Sequence, residues 1–111
     1  LIVINDRNNI QIDGFTEEVM PLEPLREKWE SFGWHVMEID GHNFEHITDA
    51  VAEAKAIHEK PTMIVAHTIP GRGVSFVEND YKWHGMPPNA EQARAALKEL
   101  EAEGKRLHGG Y

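Results

Sequence analysis

The chain predicts an α/β fold with a mostly parallel sheet and flanking helices, on three observations. Apolar runs of strand length alternate with stretches whose apolar residues recur at helical spacing. The first and third of those runs are continuous, as in parallel strands covered on both faces. Two connections, 6–21 and 67–88, far exceed the roughly two to six residues usual in such units, and each follows a strand.

Leu1 to Asn5 reads as a buried strand. A polar loop then covers roughly 6–21. Pro24 suits the first turn of a helix, where its missing N–H does no harm. Leu22, Leu25, Trp29 and Phe32 follow at three- and four-residue steps and define one helix face, which Gly33 stops. Trp34 to Ile39 alternates as a second strand, and Asp40-Gly41 turns the chain. Asn43 caps a second helix whose inner line is Phe44, Ile47, Val51, Ala54 and Ile57, ended by Lys60-Pro61. Thr62 to Ala66, built on Met63-Ile64-Val65-Ala66, is the third strand. No periodicity survives from His67 to Pro88. Asn89 opens a third helix with Gln92 three residues on, as in a capping box. Ala93, Ala96, Leu97 and Leu100 form its inner face, Gly104 is its expected stop, and Gly109-Gly110 suggests a loose tail.

In open α/β sheets, ligands bind beyond the carboxyl ends of the strands. Both irregular stretches leave such ends, so they are expected to share one edge of the sheet. The chain opens directly on Leu1-Ile2-Val3-Ile4, with neither methionine nor polar lead-in. A buried strand at a terminus is unusual, and it predicts a piece of a longer protein whose earlier strands lie elsewhere.

Bulk properties exclude several classes. The net charge is −8 and the eleven Lys and Arg residues are scattered, which argues against a broad basic surface for nucleic acid. There is no cysteine, hence neither a disulfide framework nor a thiolate metal site. No apolar run approaches the roughly eighteen residues of a membrane-spanning helix. A cytoplasmic location is expected.

The chemistry centres on "NDRNNIQIDG", residues 5–14. Asn8 and Asn9 offer amide oxygens and the bend offers backbone carbonyls, the hard donors that magnesium takes together with carboxylates and ligand phosphates. Asn8 and the Ile10 carbonyl are close enough in the chain to clasp one ion from a single turn. On composition alone, an Asn-rich turn bonding to its own backbone is the simpler reading of the same cluster. The second loop carries Gly71-Arg72-Gly73 and His84-Gly85. Glycines let backbone approach a ligand closely, and a histidine there can donate to a phosphate or exchange protons near neutral pH. The alternative is that Trp83 anchors the loop and His84 caps it. Arg72 could pair with a phosphate or remain solvated. His42 and His46 stand four apart, but spacing places no third ligand beside them. The acidic run from Glu99 to Glu103 reads as an exposed helix face. Neither a nucleophile elbow nor a Gly-rich nucleotide motif is present. The residues by themselves reach a ligand-binding α/β segment.

"LIVINDRNNIQIDG", "PLEPLREKWESFGWHVMEIDGHN", "KPTMIVAHTIPGRGVSF" and "WHG", in that order over about residues 1–103, resemble transketolase. The likeness is to its thiamine-diphosphate-binding domain, of which 1–111 would form the carboxyl-terminal part. The "VEND" before "WHG" is similar to the amino-terminal subunit of split bacterial transketolases. The resemblance implies a transferase of the pentose phosphate pathway that moves a two-carbon ketol unit between sugar phosphates, with thiamine diphosphate and Mg2+ as cofactors. It implies that the Asn8 side chain and the Ile10 carbonyl coordinate the magnesium. Ile12 would pack near the thiazolium, Asp6 would orient the loop, and His84 would contact the diphosphate and the substrate's reacting end as the catalytic residue. The family's Gly-Asp-Gly and its activating glutamate are absent here. The implied partners are therefore an upstream Gly-Asp-Gly segment and a pyrimidine-binding domain or subunit, within a homo- or hetero-oligomer such as a dimer. The isolated chain is expected to be inactive. Pro70 stands where some relatives carry a lysine, and Arg7 where an acidic residue is frequent. Two rivals are part of another thiamine-diphosphate enzyme and a non-catalytic α/β interaction module.

Overall fold

A computed structural model describes residues 1–109. The chain divides into two compact units: 1–9 with 16–68, and 10–15 with the segment from Ile69 onward.

The first unit is an α/β sheet layered with helices. Its strands are β1 (Ile2–Arg7), β4 (His35–Asp40) and β5 (Thr62–His67); between them run a short α1 (Thr16–Val19), α2 (Leu25–Ser31) and α3 (Phe44–Ala56). The sheet order is β1-β5-β4 and every pairing is parallel, from Ile2↔Thr62 to Arg7↔His67 and from His35↔Thr62 to Asp40↔His67. All three carboxyl ends therefore lie on one edge, and the long connections after β1 and β5 start side by side, as expected.

β5 is central, which is why its sequence is apolar without alternation. Met63, Ile64 and Val65 are each 1% exposed. Met63 and Val65 face one way, onto Val36, Val3, Leu25, Trp29 and Trp34. The two indoles meet edge to face at 5.0 Å. Ile64 faces the other way, onto Ala50, Ala54, Met37, Ile39 and Val51. The small Ala50 and Ala54 let α3 approach the strand closely. Asn43 caps α3, its Oδ1 accepting the N–H groups of Glu45 and His46 at 2.9 and 3.2 Å.

The structure corrects several details. β1 is an edge strand with β5 as its sole neighbour among the described residues. Ile2 and Ile4 are exposed, so the expected cover on both faces is lacking within this chain. The 6–21 stretch is not one loop. β1 continues to Arg7, and a hairpin and α1 follow. Pro24 stands at the cap of α2 rather than in its first turn. Leu22 and Phe32 lie outside α2 on exposed ground, and Phe44 is 85% exposed. Gly33 does stop α2, at φ +82°.

In the second unit, β2 (Ile10–Gln11) and β3 (Gly14–Phe15) form an antiparallel hairpin in which Ile10 pairs with Phe15. A 3-10 turn covers Tyr81–Trp83, and α4 runs from Ala90 to His108. The capping box forms as the sequence predicts: Asn89 Oδ1 accepts from Glu91 and Gln92, and Gln92 Oε1 accepts from the Asn89 N–H. Leu97 and Leu100 are largely exposed, so the expected inner face is narrower than four residues. Gly104 does not end the helix. A mid-helix glycine costs only about 1 kcal/mol, and Lys105, Arg106 and His108 in the last turn complement the helix dipole. Gly109 forms the cap, and Gly110 of the expected tail lies outside the described residues. Asn89→Ala is expected to lower stability by about 1 kcal/mol, read as a lower urea midpoint at unchanged slope. No helix among the described residues is long and apolar enough to cross a membrane.

Candidate functional site

Asn8 follows the last residue of β1, at the carboxyl edge of the sheet. Both neighbours are fixed within the first unit. The Arg7 carbonyl accepts the Thr68 N–H at 3.3 Å, and the Asn9 carbonyl accepts the Thr16 N–H at 2.9 Å. Asn9 takes φ +64°, a left-handed conformation that asparagine tolerates better than most residues. Asp6 accepts a hydrogen bond from the Thr68 hydroxyl, which ties the exit of β1 to the exit of β5. Gly41 closes the same edge: a Cβ there would come within 2.5 Å of Thr68 Cγ2 and 3.1 Å of the His67 carbonyl. Asn5 Oδ1 is buried with no partner among the described residues.

Arg7 reads in sequence as no more than a replaced acidic position. In the structure it is 4% exposed, and its Nη2 donates to Glu17 Oε1 at 2.8 Å and to Glu23 Oε1 at 3.0 Å. The sole sequence signal for this is a lone cation inside an amide-rich stretch. Glu23 is held below the usual carboxylate range, first by the Leu25 N–H and then by the Arg7 guanidinium.

Ile10 and Ile12 belong to the second unit. Ile12 sits at the hairpin turn, 72% exposed. Within that unit, Phe15 meets Tyr81 edge to face at 5.8 Å. The hairpin that carries Ile10 and Ile12 is thereby joined to the 3-10 turn that precedes His84. His84 itself is exposed, and its N–H donates to the Tyr81 carbonyl at 3.0 Å. Trp83 packs on Phe76 at 5.7 Å, and both line an apolar hollow of about 250 Å³ with Val74, Val77 and Met86. Trp83 therefore does anchor the loop, and it leaves the His84 side chain outward.

The two loop glycines serve the fold. Gly71 and Gly73 adopt φ +74° and +94°, and a Cβ on Gly71 would collide with the Val77 side chain. The Gly73 N–H donates to Glu78 Oε1 at 2.8 Å. The acidic run is more than solvated surface: Glu99 accepts from both the N–H and the hydroxyl of Ser75, which holds its carboxyl below the ordinary range. Among the described residues no three His, Cys, Asp or Glu side chains gather as a metal site, so His42 and His46 gain no third ligand. The donors around Asn8 are amide and carbonyl oxygens, which fit a hard cation in kind but supply only part of a shell.

Residues 1–106 match the family model described as transketolase, thiamine diphosphate binding domain. The chain is 51% identical over 104 residues to the SqwG subunit of a 6-deoxy-6-sulfo-D-fructose transketolase from Clostridium sp. (strain MSTE9), covering 94% of this chain and 38% of that protein. It is 41% identical over 107 residues to one of the subunits of an apulose-4-phosphate transketolase from Phocaeicola vulgatus, covering 96% of this chain and 38% of the relative. Among solved structures, transketolase from Campylobacter jejuni superposes with a TM-score of 0.82 at 33% identity, over 91% of this chain and 16% of that one. The chain belongs to the transketolase family, within its thiamine diphosphate binding domain. It spans little more than a third of the length of the Clostridium and Phocaeicola relatives.

Proposed function

We propose that the chain is the carboxyl-terminal part of a diphosphate-gripping domain in a transketolase, transferring a two-carbon ketol unit between sugar phosphates. What supports the reading is the Asn8 bend: a residue whose two neighbours are both anchored at the carboxyl edge of a parallel sheet, in a chain of this family. Thiamine diphosphate, when bound, supplies the carbanion that carries the two-carbon unit. The Asn8 amide and the Ile10 carbonyl hold Mg2+ and, through it, the diphosphate. Ile12 offers an aliphatic flank to the thiazolium. His84 donates a hydrogen bond to the diphosphate or to the substrate's reacting oxygen, and can relay a proton there. An upstream Gly-Asp-Gly segment and a pyrimidine-binding domain or subunit complete a cytoplasmic, oligomeric enzyme. The relatives named for a sulfonated fructose and for apulose 4-phosphate both point to a sugar with an anionic end, so a phosphorylated or sulfonated ketose is the donor class.

The full-length protein with its partner is expected to transfer the ketol unit from a ketose phosphate to an aldose phosphate, and to stop on removal of either magnesium or thiamine diphosphate. Residues 1–111 alone should give no turnover. Transfer that survives both removals, or cofactor-dependent turnover by the isolated chain, would overturn the reading.

A further inference from the structure

We propose that Arg7, clamped between Glu17 and Glu23, is a positioning residue that presents Asn8 to the metal; the inference rests on the reading above for Asn8.

Three consecutive residues form the bend, and the outer two are held by contacts of different kinds. On one side Arg7 pairs with His67 in the sheet, and its carbonyl accepts from Thr68. Its guanidinium joins two carboxylates that the chain reaches only later. Glu17 Oε1 also accepts the Leu22 N–H at 3.1 Å, and Glu23 Oε2 accepts the Leu25 N–H at 2.9 Å. Each carboxylate is thus fixed by backbone as well as by Arg7. On the other side, left-handed Asn9 is held by the Thr16 N–H, and Thr16 is itself 8% exposed. Asparagine adopts this left-handed conformation readily, and the Thr16 contact holds it there. The segment 16–25 returns to grip Arg7 and Asn9, which leaves Asn8 between two anchored neighbours.

Stability alone does not explain the arrangement. Arg7 is buried, and its Nε finds no partner among the described residues. Its partners Glu17 and Glu23 are about half exposed, so the pairs themselves add little stability, and an unpaired buried donor adds a penalty. What the guanidinium supplies is direction, since two fixed acceptors leave its backbone little freedom. Groups that hydrogen-bond a metal ligand change metal affinity by about tenfold to a hundredfold when removed; Arg7 acts one residue away through the backbone, so the lower end is expected.

The test uses the full-length protein with its partner and reads the magnesium-dependent affinity for thiamine diphosphate by calorimetry. Arg7→Met is expected to weaken binding by about tenfold or more. Glu17→Gln and Glu23→Gln each keep an accepting oxygen and should act more weakly, while together they should approach Arg7→Met. If Arg7 works through Asn8, adding Arg7→Met to Asn8→Ala should produce little further loss, whereas a merely structural residue would add its full effect. Should methionine unfold the protein, Arg7→Lys keeps the charge and is expected to restore most of the affinity relative to the double glutamine variant. Unchanged affinity in Arg7→Met, or in the double glutamine variant, with a loss in Asn8→Ala would overturn the clamp and leave the Asn8 assignment standing. No loss in Asn8→Ala would overturn both. Full additivity of Arg7→Met and Asn8→Ala would also overturn the clamp.

Discussion

Met63→Ala is expected to destabilise the protein by about 4 kcal/mol, toward the upper part of the range for truncating buried methionine or leucine. Met63 is 1% exposed on the central strand, with Val3 and Val36 beside it in register. Leu25, Trp29 and Trp34 close the same cluster, and the edge-to-face contact of the two indoles leaves their rings little room to collapse into a void. The equivalent truncation on the opposite face should cost less, nearer ~2–3 kcal/mol. Ile64 is equally buried, yet it borders an apolar hollow of about 230 Å³ lined also by Ile4, Ile39 and Val51, so it has fewer neighbours to lose. Urea unfolding followed by tryptophan emission measures both, and Trp29 and Trp34 report directly on the Met63 side. Because whole-domain stability is only about 5–15 kcal/mol, Met63→Ala should bring the fold close to its limit at ordinary temperature. A larger loss in Ile64→Ala than in Met63→Ala would mean that the hollow face, not the tryptophan face, carries the core.

The same residues show why the fold is legible. Met63-Ile64-Val65-Ala66 is apolar without alternation because neighbours lie on both sides and both faces, and that pattern is local in sequence. Asn43 and Asn89 are equally readable, since a cap acts on N–H groups two or three residues away. Legibility fades where the outcome depends on distant chain. Leu1 to Ile4 resembles β5 in composition, but nothing local says that, among the described residues, β5 alone flanks β1. Phe32 and Phe44 fit their helical periods and still point outward, because period assigns a face and not what covers it. Gly104 looks like a stop and is not one, because a single glycine penalty is smaller than the sum of its helix's other contributions.

The site divides in the same way. Asn8 and Ile10 stand out as candidates because their chemistry and adjacency sit in one short stretch, and only the resemblance proposes what composition leaves open. The Arg7 clamp cannot be read, since its acceptors lie 10 and 16 residues away and glutamates on such a segment otherwise look solvated. The Glu99 contact with Ser75 spans 24 residues and escapes sequence reasoning for the same reason. Contacts of this range depend on a fold already formed, so they leave no periodic trace.

Asn8→Ala should weaken magnesium-dependent thiamine diphosphate binding by about thirtyfold, the equivalent of roughly 2 kcal/mol. The alanine removes the side-chain amide and its hard oxygen, while the bend keeps the contacts of Arg7 and Asn9. Magnesium readily fills an empty position with water. The metal should therefore remain with its diphosphate, and the lost affinity reflects the missing link between that complex and the chain. Asn8→Asp separates the two components. It keeps an oxygen at nearly the same reach but adds a negative charge beside the diphosphate, so free magnesium should bind more tightly while the cofactor gains less from its presence. Calorimetric titration of metal alone, and then of cofactor at saturating metal, distinguishes the two effects in the full-length protein with its partner. An alanine variant with unchanged cofactor affinity would remove Asn8 from the metal site. An aspartate variant that matched alanine in both titrations would mean that the side chain shapes the bend without touching the ion.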